Sequence, residues 1–230
     1  MDITTTRHGL RLSQHGVVLS ELRTSAGPTH SVFDLLAALI AVLAPRGRIG
    51  VLGFAGGGMM APLRALGVET VMHSVDLDRA GFDLFREHCA DWAPQVNWQQ
   101  ADAVDWLRGQ SAQFDLLVED LSVPRAGDVF KPDVSWEVLP KLIRQRLRPG
   151  GYAVFNLMLS PGESWKAALL KITRHFSAAQ LIHLDDFENR LLIAGRHLPS
   201  ARVLGNSLRR ELRRLRSRQA GRIQVRGVKF

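Results

Sequence analysis

The chain has 230 residues, 46% of them hydrophobic and 23% charged, a composition typical of a globular domain that excludes a disordered or fibrous protein. Its single cysteine, Cys89, excludes an internal disulfide. The formal net charge of +8 is concentrated at one end, because residues 201–230 hold ten of the 30 Lys and Arg residues and one of the 22 acidic residues. The remaining 20 basic and 21 acidic residues leave positions 1–200 close to neutral.

The first part of the chain predicts a small β segment followed by a helix. Residues 1–25 alternate loosely between apolar and polar side chains and predict a hairpin with its turn at His15-Gly16. Apolar residues recur at helical spacing between Val32 and Leu43, and Pro45 and Gly47 end that helix. The start, MDITTTRHGL, has no basic stretch followed by an apolar run, so we expect no signal peptide and a reducing, cytoplasmic compartment.

Strand-like and helical segments alternate after that helix. The strand candidates are Arg48–Gly53, Thr70–Asp76, Val96–Gln100, Leu116–Asp120, Tyr152–Leu157, Gln180–Leu184 and Leu191–Gly195. Their order predicts an α/β fold with a doubly wound, mostly parallel, seven-stranded sheet. The last two candidates are separated only by the tight segment DDFEN, which predicts an antiparallel hairpin at the C-terminal side of the sheet.

Chemistry-bearing residues follow the first three strand candidates. The stretch RIGVLGFAGGGMM places Gly53 and Gly57 after the first strand, where a tight turn or the close approach of a ligand requires glycine. Asp76 ends the second strand and can accept both hydroxyls of a ribose, while Asp102 follows the third and can meet an adenine amino group. The pattern predicts a nucleoside site. The alternatives are a tight turn with helix-capping acids, and a dinucleotide site, although Ala55 stands where GxGxxG has its middle glycine.

These segments resemble the spermidine synthases, or polyamine aminopropyltransferases, and their relatives in the class I S-adenosylmethionine-dependent methyltransferase superfamily. VLGFAGGG is similar to the family's glycine loop IGGGDGG, VDLD to its EID, and QADAVDWL to its GDGFEFL. FDLLVEDLSVP is similar to YDVIITDSSDP, and LRPGG matches the segment that enters the fifth strand. The resemblance runs from about Ser31 to Gly195. It implies a class I methyltransferase (Rossmann-like) fold with the antiparallel C-terminal hairpin.

The resemblance also implies a transferase that uses an S-adenosyl donor and needs no metal. The donor substrate would be decarboxylated S-adenosylmethionine or S-adenosylmethionine itself. The residues expected to bind it are Gly53, Ala55, Gly57, Asp76, Asp102 and Ala103.

The acceptor implied by the resemblance is a small amine. Asp120 matches the first aspartate of DSSDP and is expected to position the amine or take its proton. Glu119 beside it, with Phe130 and Trp136 from the following loop, are the expected acceptor contacts.

The sequence departs from the family pattern at two acidic positions. Gly56 stands in place of the aspartate of the glycine loop, and Val123 in place of the second aspartate of DSSDP. A polyamine needs several carboxylates or aromatic faces to replace its water. Aminopropyl transfer, methyl transfer from S-adenosylmethionine, and a non-catalytic nucleoside-binding module that works through the basic end therefore stay open as alternatives.

Three regions follow from these patterns: a short β segment (1–30), a donor-binding Rossmann-like domain (31–200) and an arginine-rich C-terminal tail (201–230). In the tail, a helical stripe of leucines is surrounded by arginines. We expect either packing on the body with a solvated basic face, or docking on nucleic acid, anionic lipid or an acidic partner. The short N-terminal segment leaves a homodimer open.

Overall fold

The computed structural model describes residues 2–125, 128–159 and 162–228. Its first three strands form an antiparallel meander: β1 (Asp2–Thr6), β2 (Gly9–Gln14) and β3 (Val17–Arg23). His15 and Gly16 join β2 to β3 with φ angles of 51° and 80°, which confirms the predicted turn. The N-terminal segment therefore has one strand more than the predicted hairpin.

An eight-stranded sheet forms the body of the protein. The remaining strands in chain order are β4 (Ile49–Leu52), β5 (Met72–Asp76), β6 (Val96–Gln100), β7 (Phe114–Glu119), β8 (Val123–Arg125), β9 (Asp128–Phe130), β10 (Leu147–Leu157), β11 (Ala178–Leu184), β12 (Arg190–Gly195) and β13 (Ile223–Gly227). The order in the sheet is β13-β11-β12-β10-β7-β4-β5-β6, and β8 and β9 form a separate small hairpin. The five strands from β10 to β6 run parallel, and β12, β11 and β13 extend the sheet, each antiparallel to the strand beside it.

The α/β sheet and its antiparallel C-terminal hairpin confirm the predicted fold class, and the strand count is corrected from seven to eight. The eighth strand, β13, pairs along β11 from Ile223 opposite Leu184 to Gly227 opposite Gln180. It forms the edge of the sheet, where one buried residue is sufficient: Ile223 is 2% exposed and its strand neighbours are mostly exposed. The sequence IQVRG therefore lacks the apolar run by which the other strands are recognised.

Helices cover both faces of the sheet. They are α1 (Val32–Leu43), α2 (Met60–Ala65), α3 (Ala80–His88), α4 (Ala103–Gly109), α5 (Asp133–Glu137), α6 (Leu139–Arg146), α7 (Trp165–Thr173) and α8 (Ala201–Arg214). The apolar residues of α1, α2, α3 and α8 pack in one cluster, and those of α4 to α7 pack in a second cluster on the opposite face. Within the described ranges, no helix has the length and apolar character needed to cross a membrane.

Residues 201–228 are an integral part of this domain. The leucine stripe of α8 is buried beside α1, with Leu204, Leu208 and Leu212 fully buried. Gln219, in the short 3-10 turn after α8, donates from Nε2 to the carbonyl oxygen of His30 at 3.0 Å. The predicted boundary at residue 200 therefore does not separate a tail from the fold, because the segment supplies both a core helix and a sheet strand.

Candidate active site

The loop after β4 turns sharply beside the end of β7. Gly53 has a φ of +88°, and its N–H donates to the carbonyl oxygen of Val75 at 2.9 Å. A Cβ at residue 53 would lie 2.7 Å from the carbonyl oxygen of Asp120, so this turn requires glycine. At Gly56 a Cβ would lie 2.3 Å from Cδ1 of Leu12 in the N-terminal meander. Packing against the chain's own atoms thus accounts for these two glycines.

Asp76, at the end of β5, shapes this loop through backbone hydrogen bonds. Its Oδ2 accepts from the N–H groups of Phe54 at 2.9 Å and Ala55 at 2.8 Å, and its Oδ1 accepts from Asp78 at 3.1 Å. These bonds hold Ala55 at a φ of +44°. Gly57, two residues later, has a φ of +70°. A carboxylate has about four acceptor positions, so one position remains for a hydroxyl group such as that of a ribose.

Asp102 caps α4 at the end of the neighbouring strand β6. Its Oδ1 accepts from the N–H groups of Val104 at 2.8 Å and Asp105 at 3.2 Å, which is the hydrogen-bonding pattern of an N-cap. The side chain is exposed, and Oδ2 makes none of these bonds, so it is available to an amino group. Ala103 is the buried first residue of α4 and follows Asp102 directly.

Leu77 was not among the residues predicted from the sequence. It follows Asp76 directly, and 67% of it is exposed, the largest fraction among the exposed large apolar residues of the described chain. Its carbonyl oxygen accepts from Nε2 of Gln100 at 3.0 Å, which ties the loop after β5 to the end of β6. An exposed apolar side chain in this position can contact a flat ring by van der Waals packing. The signal in the sequence is the leucine between two aspartates in VDLD.

Asp120 lies at the end of β7 and is held by a chain of two asparagines. Nδ2 of Asn156 in β10 donates to its Oδ1 at 2.7 Å, and Nδ2 of Asn189, just before β12, donates to Oδ1 of Asn156 at 3.0 Å. Burial raises the pKa of Asp120 to about 6, although the charge of Lys131 and the hydrogen bond from Asn156 act in the opposite direction. The asparagines were not predicted, and the signal for Asn156 is a polar residue within the apolar strand YAVFNL.

Comparison with known proteins bears on the fold of the chain. No family model and no curated protein matches the sequence. The structure is similar to a probable spermidine synthase from Corynebacterium glutamicum, with a TM-score of 0.75 and 20% identity over 98% of this chain and 86% of that chain. It is also similar to human methyltransferase-like protein 13 in complex with SAH, with a TM-score of 0.61 and 17% identity over 80% of this chain and 90% of that chain. A third match is a spermidine synthase in complex with the transition state analogue AdoDATO, with a TM-score of 0.64 and 15% identity over 84% of this chain and 68% of that chain.

The chain has the class I methyltransferase (Rossmann-like) fold that these structures share. In this fold the chain passes from β4 to β5 and β6 on one side, and then returns to place β7 on the other side of β4. The strand order thus reverses between β4 and β7, and ligands of open α/β sheets bind at such a switch point beyond the carboxyl ends of the strands. Gly53 follows β4 and Asp120 follows β7, so both lie at this point.

Glu119 lies in the interior of the fold. Its side chain is fully buried, and Nζ of Lys131 lies 2.8 Å from both of its carboxylate oxygens. Oγ of Ser135 donates to Oε1 at 2.8 Å, and Nζ of Lys131 also donates to the carbonyl oxygen of Leu121 at 2.7 Å. These partners enclose the carboxylate. The predicted acceptor contact by Glu119 is therefore corrected to a buried ion pair that fixes the chain after β7.

Phe130 and Trp136 occupy different environments. Trp136 is 6% exposed and packs in the apolar cluster beneath α4 to α7, as a core residue does. Its predicted contact with an acceptor is therefore corrected to core packing. Phe130 is half-buried in β9, where it pairs with Val123 across the small hairpin that follows Asp120. Phe130 thus lies close in sequence to the switch point, and its contact with an acceptor stays a prediction.

Proposed function

We propose that the protein is a spermidine synthase-like transferase that uses an S-adenosyl donor to alkylate a small amine, with Asp120 positioning the amine and taking its proton. The observation that carries this proposal is the place of Asp120 at the switch point, with one carboxylate oxygen held by Asn156. The donor would lie across the loop after β4, with Asp76 on its ribose and Asp102 near its base. Leu77 would contact the base ring.

The proposed reaction needs a neutral amine in line with a carbon next to the sulfonium. The nitrogen lone pair forms the new C–N bond while the C–S bond breaks, and the sulfonium becomes a neutral thioether. The proton lost by the nitrogen passes to the carboxylate of Asp120, whose pKa of about 6 lets it be ionised at neutral pH. Alignment supplies the remainder of the rate enhancement, since sulfonium transfer needs no further acid or base.

The neighbouring charges favour an acceptor with one amine over a di- or triamine. Glu119 is neutralised by Lys131, and the exposed Glu137 lies 2.8 Å from Nζ of Lys171. Glu119 is therefore not free to replace the water around a second ammonium group. This supports an acceptor with a single amine, whose proton passes to Asp120.

Methyl transfer from S-adenosylmethionine is the second candidate. The observation in its favour is Val123, 48% exposed in β8, at the position where the family pattern has its second aspartate. A valine there removes a negative charge from the hairpin, and so reduces the repulsion that the carboxylate of S-adenosylmethionine would meet. The third candidate, a nucleoside-binding module without catalysis, differs from both in having no turnover.

Calorimetric titration of the full chain with S-adenosylmethionine, decarboxylated S-adenosylmethionine and methylthioadenosine tests the donor. We expect saturable binding of at least one of them, and a loss of about tenfold or more in Asp76→Ala, which removes the ribose contact. Preference for the decarboxylated donor would favour aminopropyl transfer, and preference for S-adenosylmethionine would favour methyl transfer. Absence of binding for all three would contradict the proposal.

Turnover with a panel of small amines tests the role of Asp120. We expect Asp120→Asn to bind the preferred donor as the wild type does and to lose about 10²-fold or more in kcat, because the amide takes up no proton. Asp91→Asn makes the same chemical change at an exposed position in the turn after α3 and serves as the control. Donor binding without turnover for any amine, in wild type and variant alike, would favour the non-catalytic module.

A further inference from the structure

Arginines form a stripe along the outer side of α8. Arg202, Arg209 and Arg213 follow one another at intervals of seven and four residues, which places them on one face of the helix. Eleven residues separate the first from the last, which corresponds to about 16 Å along the axis. Arg216 and Arg218 continue beyond the end of the helix. We call these five residues the arginine stripe.

The charge of the stripe is largely uncompensated. Within residues 2–125, 128–159 and 162–228, none of the stripe arginines forms an ion pair. Arg209 is half-buried and donates to the carbonyl oxygen of Ile223 at 3.0 Å, and the other four are exposed. The acid of this segment, Glu211, is 8% exposed and is shared by Arg210 and Arg214 at 3.1 Å each. In the described part of the chain, no carboxylate therefore forms an ion pair with the stripe, and Asp186, whose pKa is lowered by the hydrogen bond from Arg222 and also by the charge of Arg218, is paired with Arg222.

The stripe leads across the molecule to the edge that carries the candidate active site. Gly195, at the end of β12, pairs with Tyr152 in the first half of β10, so α8 starts from the amino edge of the parallel strands. Ile223, after the stripe, pairs with Leu184 at the carboxyl edge. At that edge the N–H of Arg218 donates to Nδ1 of His30 at 3.3 Å. The stripe therefore runs from the amino edge to the carboxyl edge.

The side chains exposed on α8 favour a partner that carries phosphate groups. The leucines of α8 are buried against the body, so the helix has no apolar face to insert into a bilayer, and Val203 is its exposed aliphatic residue. Planar guanidinium groups with several parallel N–H donors match phosphate oxygens. A row of them about 16 Å long meets several charges of a duplex, which has one charge per about 1.7 Å of axis.

We propose that the arginine stripe docks the phosphodiester backbone of a nucleic acid duplex. This surface is separate from the donor site, and the proposal stands whether or not the protein transfers a group. Its contacts are to phosphates, so binding should depend steeply on salt and little on sequence.

The test is fluorescence anisotropy of the full chain with labelled 20-base-pair RNA and DNA duplexes across a range of salt concentrations. The stripe variant is Arg202→Gln/Arg213→Gln/Arg216→Gln. We expect it to bind either duplex at least about tenfold more weakly, with a log–log salt slope smaller by about two to three. The duplex that binds more tightly shows whether the stripe prefers the phosphodiester backbone of RNA or of DNA.

A matched control separates this surface from the general positive charge of the protein. Arg86→Gln/Arg108→Gln/Arg144→Gln removes the same charge from exposed positions on α3, α4 and α6. We expect this variant to bind as the wild type does, and both variants to keep the wild-type unfolding midpoint in urea. Equal weakening by the two triple variants would overturn the proposal. So would tighter binding to phosphatidylserine vesicles or to polyglutamate than to both duplexes.

Discussion

Burial of the Asp120 carboxyl group lowers the stability of the folded protein at neutral pH. Its pKa rises from 3.8 to about 6 mainly through burial, so the folded protein keeps a proton that the unfolded chain releases between these values. Stability therefore falls as pH rises through that interval and stays lower above it. The hydrogen bond from Asn156 offsets part of this cost, since it is made to the charged form.

At the residue scale, Asp120→Asn is expected to stabilise the protein while it lowers kcat by about 10²-fold or more. The amide has no charge to desolvate, and its oxygen can still accept from Asn156. We expect a gain in unfolding free energy of about 1 to 3 kcal/mol near pH 7.5, shrinking to less than about half of that near pH 4.5. Urea unfolding at the two pH values measures it. A gain that is equal at both values would show that burial does not raise the pKa of Asp120.

The buried pair of Glu119 and Lys131 yields a second prediction at this scale. Lys131→Met leaves a buried carboxylate without its cation and should cost about 3 to 5 kcal/mol of unfolding free energy. Adding Glu119→Gln should recover much of that loss, because the uncharged amide can still accept from Ser135. Urea titrations of the two variants and the wild type test this.

The exposed pair Arg79–Asp83 on α3 is the control for that prediction, because both of its side chains are about half exposed. Arg79→Met should cost less than about 1 kcal/mol. If the Lys131→Met/Glu119→Gln double variant were as unstable as Lys131→Met alone, the loss would lie in packing and not in the unpaired charge.

At the scale of elements, the sequence predicted best the strands whose two ends are marked by turn residues. Val96–Gln100 is observed with the predicted bounds, since turn residues flank it. The strand before α7 begins at Leu147 and not at Tyr152, because LRPGG has the residues of a turn but continues the strand through a register shift. Asp120 was predicted from the resemblance of FDLLVEDLSVP to the family pattern YDVIITDSSDP. Its contact with Asn156, 36 residues away, depends on which strands are neighbours, and no local pattern contains that information.

Gly81, in the first turn of α3, packs closely on the glycine loop, and a substitution at Gly81 tests that contact. A Cβ at Gly81 would lie 2.3 Å from the carbonyl oxygen of Ala55, and backbone cannot move aside as a side chain can. Gly81→Ala should therefore cost about 1 to 3 kcal/mol of unfolding free energy and weaken donor binding by displacing Ala55. Gly109→Ala is the control, since a Cβ there meets nothing within 4 Å at the end of α4. Equal stability of the two variants would show that the loop is not tightly packed on α3.

At the scale of the whole molecule, both ends of the chain close around the carboxyl edge of the sheet. Leu12 of the N-terminal meander lies against Gly56 of the glycine loop. From the other end, Gln219 donates to the carbonyl oxygen of His30 just before α1, and Arg222 pairs with Asp186 in the turn between β11 and β12. The candidate site is therefore supported by contacts with residues from the first strands to the last, which together we call the frame of the site.

Because the frame includes α8, a substitution on its buried side should destabilise the whole domain. Leu208 is fully buried between α8 and the body, and Leu208→Ala should cost about 2 to 5 kcal/mol of unfolding free energy in one cooperative transition. Val203→Ala, at a position that is 51% exposed on the same helix, should change it by less than about 0.5 kcal/mol. Urea unfolding followed by circular dichroism and tryptophan fluorescence measures both. If α8 completes the core, the circular dichroism and the tryptophan fluorescence of Leu208→Ala should be lost in the same transition. A separate early transition, with the sheet still folded, would mean that α8 is a detachable tail.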